Sequence, residues 1–138
     1  MTESAVTAKL IRTLNSIPRC YARKQFGGRF SSGEPDVKMV YAGRPIFIEV
    51  KLLSGKLSSL QAIMLTRWQN AGAICAIAVF CPEKKSFTFF INSDAWNYHV
   101  GKLVTQITPD NVHSHTDIGY HMVQDLLKKI CTAIPICI

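Results

Sequence analysis

Two neighbouring segments of the chain carry the residue pattern of paired β-strands. Residues 37–41 and 46–52 are rich in β-branched and other apolar side chains, and the turn-forming sequence Ala42-Gly43-Arg44-Pro45 separates them. A β-hairpin is therefore predicted. Because side chains alternate between the two faces of a strand, Glu49 and Lys51 are predicted to project together from one face of the second strand.

The position of Asp36 relative to these two residues depends on the hairpin loop. With Gly43-Arg44 as a two-residue loop, Asp36 lies opposite Lys51 and diagonal to Glu49. Opposed residues are about 5 Å apart and diagonal ones about 7 to 8 Å apart, so three charged groups are predicted to converge on one patch. A longer loop would change this register.

The N-terminal segment has the spacing of an amphipathic helix. Thr2 is a suitable N-cap, apolar residues recur at helical spacing from Val6 to Ile17, and Pro18 ends the pattern. At about 100° per residue, Glu3 falls on the inward, apolar face. An inward carboxylate suggests a functional role, although the helix dipole also favours an acid in the first turn.

The segments that follow the hairpin predict an α/β fold. A helix is expected to begin after Ser58 and to end near Gly72, and residues 73–80 have the continuous apolar pattern of a buried strand. The order of hairpin, helix and strand predicts a mixed β-sheet flanked by helices. Later patterns predict a strand at 87–91 and helices at 94–104 and 117–130.

Length and composition predict a single intracellular domain covering residues 1–138. The chain is 48% apolar and 18% charged, a globular balance, and its size suffices for one core. A signal sequence and an apolar stretch of about 18 residues are both missing, so neither secretion nor membrane insertion is expected, and a cytoplasmic location is. The odd number of cysteines, without CxxC spacing, indicates reduced thiols. These are Cys20, Cys75, Cys81, Cys131 and Cys137.

The charge balance points to a polyanionic partner. Lysine and arginine number 16 against 9 acidic residues, which gives a formal charge of +7. Cations alternate with aromatic residues between residues 19 and 29, as in a loop that contacts phosphates, although a solvated surface loop can have the same composition. The candidate DNA-binding residues in this stretch are Arg19, Arg23, Lys24 and Arg29.

The charged residues of the hairpin suit phosphodiester hydrolysis. Carboxylates such as Asp36 and Glu49 are hard ligands for Mg²⁺, which lowers the pKa of water and offsets charge on the phosphate oxygens. Lys51 can position or help to deprotonate the attacking water. The alternative is an ordinary hairpin with surface salt bridges. A zinc site is not expected, because no cysteine has suitable spacing to His113, His115 or His121.

Three sequence elements together resemble the VRR-NUC branch of the PD-(D/E)xK nucleases, of the single-domain phage or bacterial type. They are Gly33-x-Pro35-Asp36, then Glu49-Val50-Lys51, and the element from Gly55 to Gln61, which reads GKLSSLQ. Glu3 matches the early helical glutamate of that branch. The resemblance covers roughly residues 2 to 80.

This resemblance implies a restriction-endonuclease-like core and a Mg²⁺ site in which Mn²⁺ can substitute. Asp36, Glu49 and the Val50 carbonyl would ligate the ion and Glu3 would complete the acidic cluster. Lys51 and Gln61 would act on the water or the scissile phosphate, and Lys56 joins the candidate DNA contacts. The Ser58-x-x-Gln61 spacing is also that of a capping box, so a structural role for Gln61 stays open.

The same resemblance implies a structure-specific DNA endonuclease acting in DNA recombination and repair. Single-domain members of the branch look like resolvases of four-way (Holliday) junctions, and a homodimer would present two metal sites to a two-fold junction. The alternatives are a flap, nicking or restriction-like nuclease with the same chemistry, or a DNA-binding module that has lost the reaction.

Overall fold

A computed structural model of the chain describes residues 2–25, 33–52, 57–81, 86–91 and 112–115, which form two helices and one six-stranded sheet. The helices are α1 (Glu3–Asn15) and α2 (Ser59–Asn70). The strands are β1 (Cys20–Lys24), β2 (Val37–Tyr41), β3 (Arg44–Leu52), β4 (Ile74–Cys81), β5 (Ser86–Ile91) and β6 (Val112–His115).

The strands lie in the sheet in the order in which they occur in the chain. Only the β3–β4 pair is parallel among the described strands, and its neighbours are antiparallel. A parallel pair needs a crossover between its strands, and α2 supplies it. The predicted α/β class, a mixed sheet flanked by helices, is confirmed.

Helix α1 covers one face of the sheet. The Thr2 hydroxyl accepts a hydrogen bond from the Ala5 amide at 3.1 Å and caps the helix, as predicted. The helix ends at Asn15, before Pro18. Its buried face, centred on Leu10 and Leu14, packs against side chains that β2, β3 and β4 direct toward it.

Helix α2 covers the opposite face, chiefly over β4. Leu65 packs against Cys75 and Ile77, whereas the alternate β4 residues face α1. A strand covered on both faces has no polar side to present, which explains the continuous apolar run at 73–80. Burial raises the pKa of the Cys75 thiol to about 12, so this cysteine is held in its protonated form.

The hairpin register differs from the predicted one. Tyr41 pairs with Arg44, so the loop is Ala42-Gly43, and the prediction of a Gly43-Arg44 loop is wrong. Ala42 and Gly43 have φ values of 51° and 84°, the two left-handed positions of a type I′ turn. Each β2 residue therefore pairs with a β3 residue two positions earlier in the chain than predicted. The same side chains share a face, but Asp36 comes level with Glu49 instead of Lys51.

The basic segment predicted as a loop contains strand β1. Ala22 is buried against the α1 core, whereas its neighbours Tyr21 and Arg23 are exposed, which is the alternation of an edge strand. The Asn15 side chain bonds the outward peptide groups of Ala22, accepting from the amide at 2.7 Å and donating to the carbonyl at 3.0 Å. These bonds hold β1 against the end of α1.

Strand β5 confirms the strand predicted at 87–91, and strand β6 is an addition that the sequence patterns did not predict. The helices predicted at 94–104 and 117–130 lie outside the described residues. In the described part of the chain, no helix is both long enough and apolar enough to cross a membrane.

The turn offers a test of this register. Ala42 adopts a left-handed conformation that asparagine tolerates better, and Asn-Gly is a preferred type I′ pair. Ala42→Asn is expected to raise the free energy of unfolding by about 0.5 to 1 kcal/mol in urea titrations. Ala71→Asn is the control, because Ala71 is exposed with φ −80° and should gain nothing. Equal effects of the two changes would argue against the Ala42-Gly43 turn.

Candidate active site

The first carboxylate of the site lies where the chain enters β2. Asp36 follows the buried Pro35, and its backbone carbonyl accepts a hydrogen bond from the Gln25 amide at 2.7 Å. Its side chain reaches across to β3, where Oδ2 accepts from the Val50 amide at 2.8 Å. Asp36 is therefore held by its neighbouring strands on both sides.

The second carboxylate, Glu49, is enclosed between the sheet and α2 with 2% of its surface exposed. Its Oε1 accepts a hydrogen bond from Gln61 Nε2 at 3.2 Å, and Lys51 Nζ lies 3.9 Å from the same oxygen. Its Oε2 is buried and meets no hydrogen-bond donor among the described residues. A buried carboxylate oxygen without a donor is costly unless a proton or a cation binds it.

The surroundings of Glu49 favour its protonated form. Burial, then a shared hydrogen bond with Asp36 and the charges of Asp36 and Glu3, raise the pKa of Glu49 to about 10, although Lys51 acts in the opposite direction. One ammonium group does not offset three carboxylates at this end of the sheet. The site therefore has a deficit of positive charge that a proton or a metal ion can fill.

Gln61 has both of the roles that its sequence context left open. Ser58 Oγ accepts from the Gln61 amide at 3.1 Å, and Gln61 Oε1 accepts from the Ser58 amide at 2.9 Å, which completes the capping box of α2. The same side chain donates from Nε2 to Glu49. Because the cap occupies its oxygen, Gln61 presents its NH₂ group to the carboxylate.

Glu3 reaches the site from the other face of the sheet. Its Oε2 accepts from the Leu52 amide at 3.5 Å, just past Lys51, and its charge contributes to the raised pKa of Glu49. The predicted inward direction of this side chain is confirmed. Its role as a metal ligand stays a prediction.

Helix α2 also holds the turn that carries Asp36. Gly33 has φ +81° and lies against α2 so closely that an added Cβ would be 2.6 Å from Leu60 Cγ. Glu34 Oε2 accepts from Trp68 Nε1 at 3.0 Å and pairs with Lys38 Nζ at 3.3 Å. These contacts form a clamp that holds the first two residues of the turn, Gly33 and Glu34.

The members of this clamp were missed in the sequence. Lys38 Nζ lies 5.0 Å from the centre of the Trp68 ring, which in turn meets Phe47 edge to face with centroids 4.6 Å apart. Trp68 is 34 positions from Glu34, and no local spacing rule connects them. Gly33 and Glu34, just before Pro35 and Asp36, were the sequence signal that this turn is held by other parts of the fold.

The residues present fit a hard divalent cation, but not through a large cluster of side chains. Within the described ranges, no three His, Cys, Asp or Glu side chains are grouped closely enough to hold a metal. Asp36 and Glu49 nevertheless bring two carboxylates together, and the second has an oxygen without a donor there. Mg²⁺ is commonly bound by one or two carboxylates and keeps several waters.

The structure describes only some of the predicted DNA contacts. Arg19, Arg23 and Lys24 lie at or on β1 with exposed side chains. Arg29 and Lys56 lie outside the described residues, as do the predicted contacts of the loop after Gln25. The candidate DNA contacts that the structure describes therefore lie along the edge strand, next to the strand that follows Asp36.

Comparison with known proteins gives structural similarity at a low level of sequence identity. No protein-family profile matches the chain, and no curated protein matches it. Among solved structures it is similar to Hjc, a Holliday junction resolvase from the archaeal hyperthermophile Archaeoglobus fulgidus, with 22% sequence identity and a TM-score of 0.46. The match covers 64% of this chain and 72% of that chain.

Glu49 makes the metal-free protein sensitive to pH. Its pKa is raised from 4.5 to about 10, so the folded state holds the proton more tightly than the unfolded chain, and stability falls as the pH rises between these values. Glu49→Gln mimics the protonated acid and should not lose stability in this way. In EDTA, the free energy of unfolding of the variant minus that of the wild type should therefore be larger at about pH 9 than at about pH 5, by about 2 kcal/mol or more. Urea unfolding at both pH values measures this. Parallel profiles for the two proteins would contradict the assignment.

Alanine substitutions at two glycines distinguish the stability cost of crowding from the cost of a left-handed backbone. Gly33 and Gly43 have nearly equal φ values, +81° and +84°, but only Gly33 has atoms within 4 Å of an added Cβ. Each alanine substitution should cost about 1 to 2 kcal/mol for the left-handed backbone. Gly33→Ala should cost about 1 to 3 kcal/mol more, because it crowds Leu60.

Displacing the turn also moves Asp36. Gly33→Ala should therefore weaken Mn²⁺ binding in calorimetric titrations, whereas Gly43→Ala should leave it unchanged. Equal losses of stability and unchanged Mn²⁺ binding in both variants would show that α2 does not hold this turn.

Proposed function

We propose that this chain is a Mg²⁺-dependent DNA endonuclease that hydrolyses phosphodiester bonds. The observation that carries the proposal is the convergence of Asp36, Glu49, Lys51 and Gln61 at one end of the sheet, around a buried carboxylate oxygen without a donor among the described residues. A structural salt bridge alone would not require two acids, one of them buried, beside one lysine.

Asp36 and Glu49 would hold the ion, with the Val50 carbonyl as a further oxygen ligand and Glu3 completing the acidic cluster. When bound, the ion supplies positive charge that polarises the attacking water and the scissile phosphate. The deficit of positive charge around Glu49 supports this assignment. Mn²⁺ has the same preference for carboxylate oxygens and can substitute.

Lys51 supplies the positively charged group of the site. Its ammonium nitrogen lies 3.9 Å from Glu49 Oε1 with 13% of the side chain exposed, so it is held near the carboxylate but can reach a substrate. In hydrolysis the water oxygen bonds to phosphorus, the water proton leaves, and the departing oxygen of the cleaved ester bond takes up a proton. Lys51 would position the water or assist this proton transfer and stabilise the added negative charge.

Gln61 and the Asp36–Val50 bond keep the acids in place. Gln61 directs its NH₂ group to Glu49 Oε1, which leaves Oε2 for the ion. The Val50 amide donates to Asp36 Oδ2 and aligns the Asp36 carboxylate with β3. Preorganised ligands of this kind reduce the rearrangement needed during the reaction.

DNA is the substrate class that the charge of the chain favours. The formal charge of +7 and the exposed cations of β1 suit a phosphate backbone. The resemblance of the sequence motifs to single-domain VRR-NUC nucleases supports a branched substrate, a four-way junction cut by a homodimer.

The experiment is cleavage of labelled four-way junction, flap and linear duplex DNA with Mg²⁺, Mn²⁺ or EDTA. Wild type should cut the junction only with metal, and Glu49→Gln and Lys51→Ala should each slow cutting about 100-fold or more. Arg67→Ala is the control, because Arg67 is exposed on α2 away from the acids and should cut normally.

The substrate pattern separates the possible activities. Cutting of flap or linear duplex in preference to the junction would replace the resolvase assignment with a different nuclease. Tight DNA binding without cutting in the presence of either Mg²⁺ or Mn²⁺ would overturn the enzyme proposal and leave a DNA-binding module.

A further inference from the structure

Side chains on the α2 face of the sheet lie in cross-strand rows that step away from the catalytic acids. The β1–β2–β3 register and the bond from Gln25 to Asp36 define three rows. Row one is Gln25, Asp36 and Glu49; row two is Arg23, Lys38 and Phe47; row three is Tyr21, Val40 and Pro45.

A groove of about 540 Å³ follows these rows along the edge of the sheet. All members of rows two and three line it, together with Gln25 of row one and the neighbouring Lys24 and Met39. Successive rows are two residues apart along a strand, which is about 7 Å. The groove therefore begins one row from Glu49 and leads outward to Tyr21.

The charge of the groove is positive. Arg23 is exposed along one wall, and Lys38 lies in the floor, where Glu34 pairs with it. Among the described lining residues there is no carboxylate. A polyanion that extends from the acids would meet compensating charge within one row.

The outer end of the groove is apolar and unusually exposed. Tyr21 is 64% exposed and Val40 47%, and Pro45 beside them is exposed as well. The floor is rigid, because Phe47 packs edge to face on Trp68 and Lys38 lies over both rings. A flat aromatic surface next to cations suits a nucleobase and its phosphate.

We propose that this groove binds unpaired nucleotides of the DNA strand that is cut, with Arg23 on a phosphate and Tyr21 stacked on a base. The occupant is single-stranded, because the faces of bases inside a duplex are already covered by their neighbours. The arms of a four-way junction are paired, so these nucleotides are the ones released where pairing opens at the branch point. This inference rests on the proposed nuclease function for its position beside the acids. The binding itself can be measured without cleavage.

The experiment measures binding of the whole chain to a labelled oligothymidylate of about 12 nucleotides and to a matched duplex, in EDTA. Tyr21→Ala should weaken single-strand binding about tenfold and change duplex binding less than about twofold. Tyr21→Phe keeps the ring and should bind like wild type. Ile63→Ala is the control, because Ile63 is a comparably exposed apolar residue, 52%, on α2.

A second arm tests the charge. Arg23→Glu and Arg12→Glu change the net charge equally, but exposed Arg12 lies on α1, on the opposite face of the sheet. Arg23→Glu should weaken single-strand binding at least about fivefold more than Arg12→Glu and should reduce its salt dependence. Equal effects would mean that only net charge matters and would overturn the proposal.

The remaining outcomes are decisive as well. Unchanged binding by Tyr21→Ala, or equal loss with single strand and duplex, overturns the groove even if the protein cuts DNA. Ring-dependent binding without cutting by the wild type retains the groove while the nuclease proposal fails. Sedimentation that shows dissociation of a dimer by Tyr21→Ala would make this face a subunit contact and overturn its role in binding DNA.

Discussion

The burial of Glu49 is the constraint around which the neighbouring elements are arranged. A carboxylate removed from water needs hydrogen bonds and positive charge, and here each comes from a different element. Helix α2 contributes the amide of Gln61, β3 contributes Lys51, and the turn before β2 contributes Asp36 as a partner that shares a proton. The second oxygen of Glu49 finds no hydrogen-bond donor within the described part of the chain, and a proton or a cation can offset the cost of burying it.

Helix α2 connects the fold to the chemistry. It makes the parallel β3–β4 pair possible, and its first turn faces the carboxylate. Its Leu60 and Trp68 hold Gly33 and Glu34, so one rigid element positions both sides of the acid pair. A site built in this way depends on packing as much as on its reacting groups.

Much of this arrangement could be predicted because it follows from periodicity. The alternation in β3 placed Glu49 and Lys51 on one face, and helical spacing placed Glu3 inward. The register could not be predicted, because it depended on whether Ala42 or Arg44 occupies the turn, a small difference in backbone energy. Strand β1 was missed because exposed cations hide the alternation of Cys20 and Ala22, and Trp68 because its contact spans the fold.

The pairing of Asn15 with Ala22 has a consequence for how copies of this chain can assemble. An edge strand with free peptide groups offers a template on which a second molecule can extend the sheet, but the outward amide and carbonyl of Ala22 are already occupied. A continuous sheet across β1 of two molecules would first have to break both bonds. Any contact between two copies at this part of β1 would therefore have to use its side chains instead of the peptide groups of Ala22.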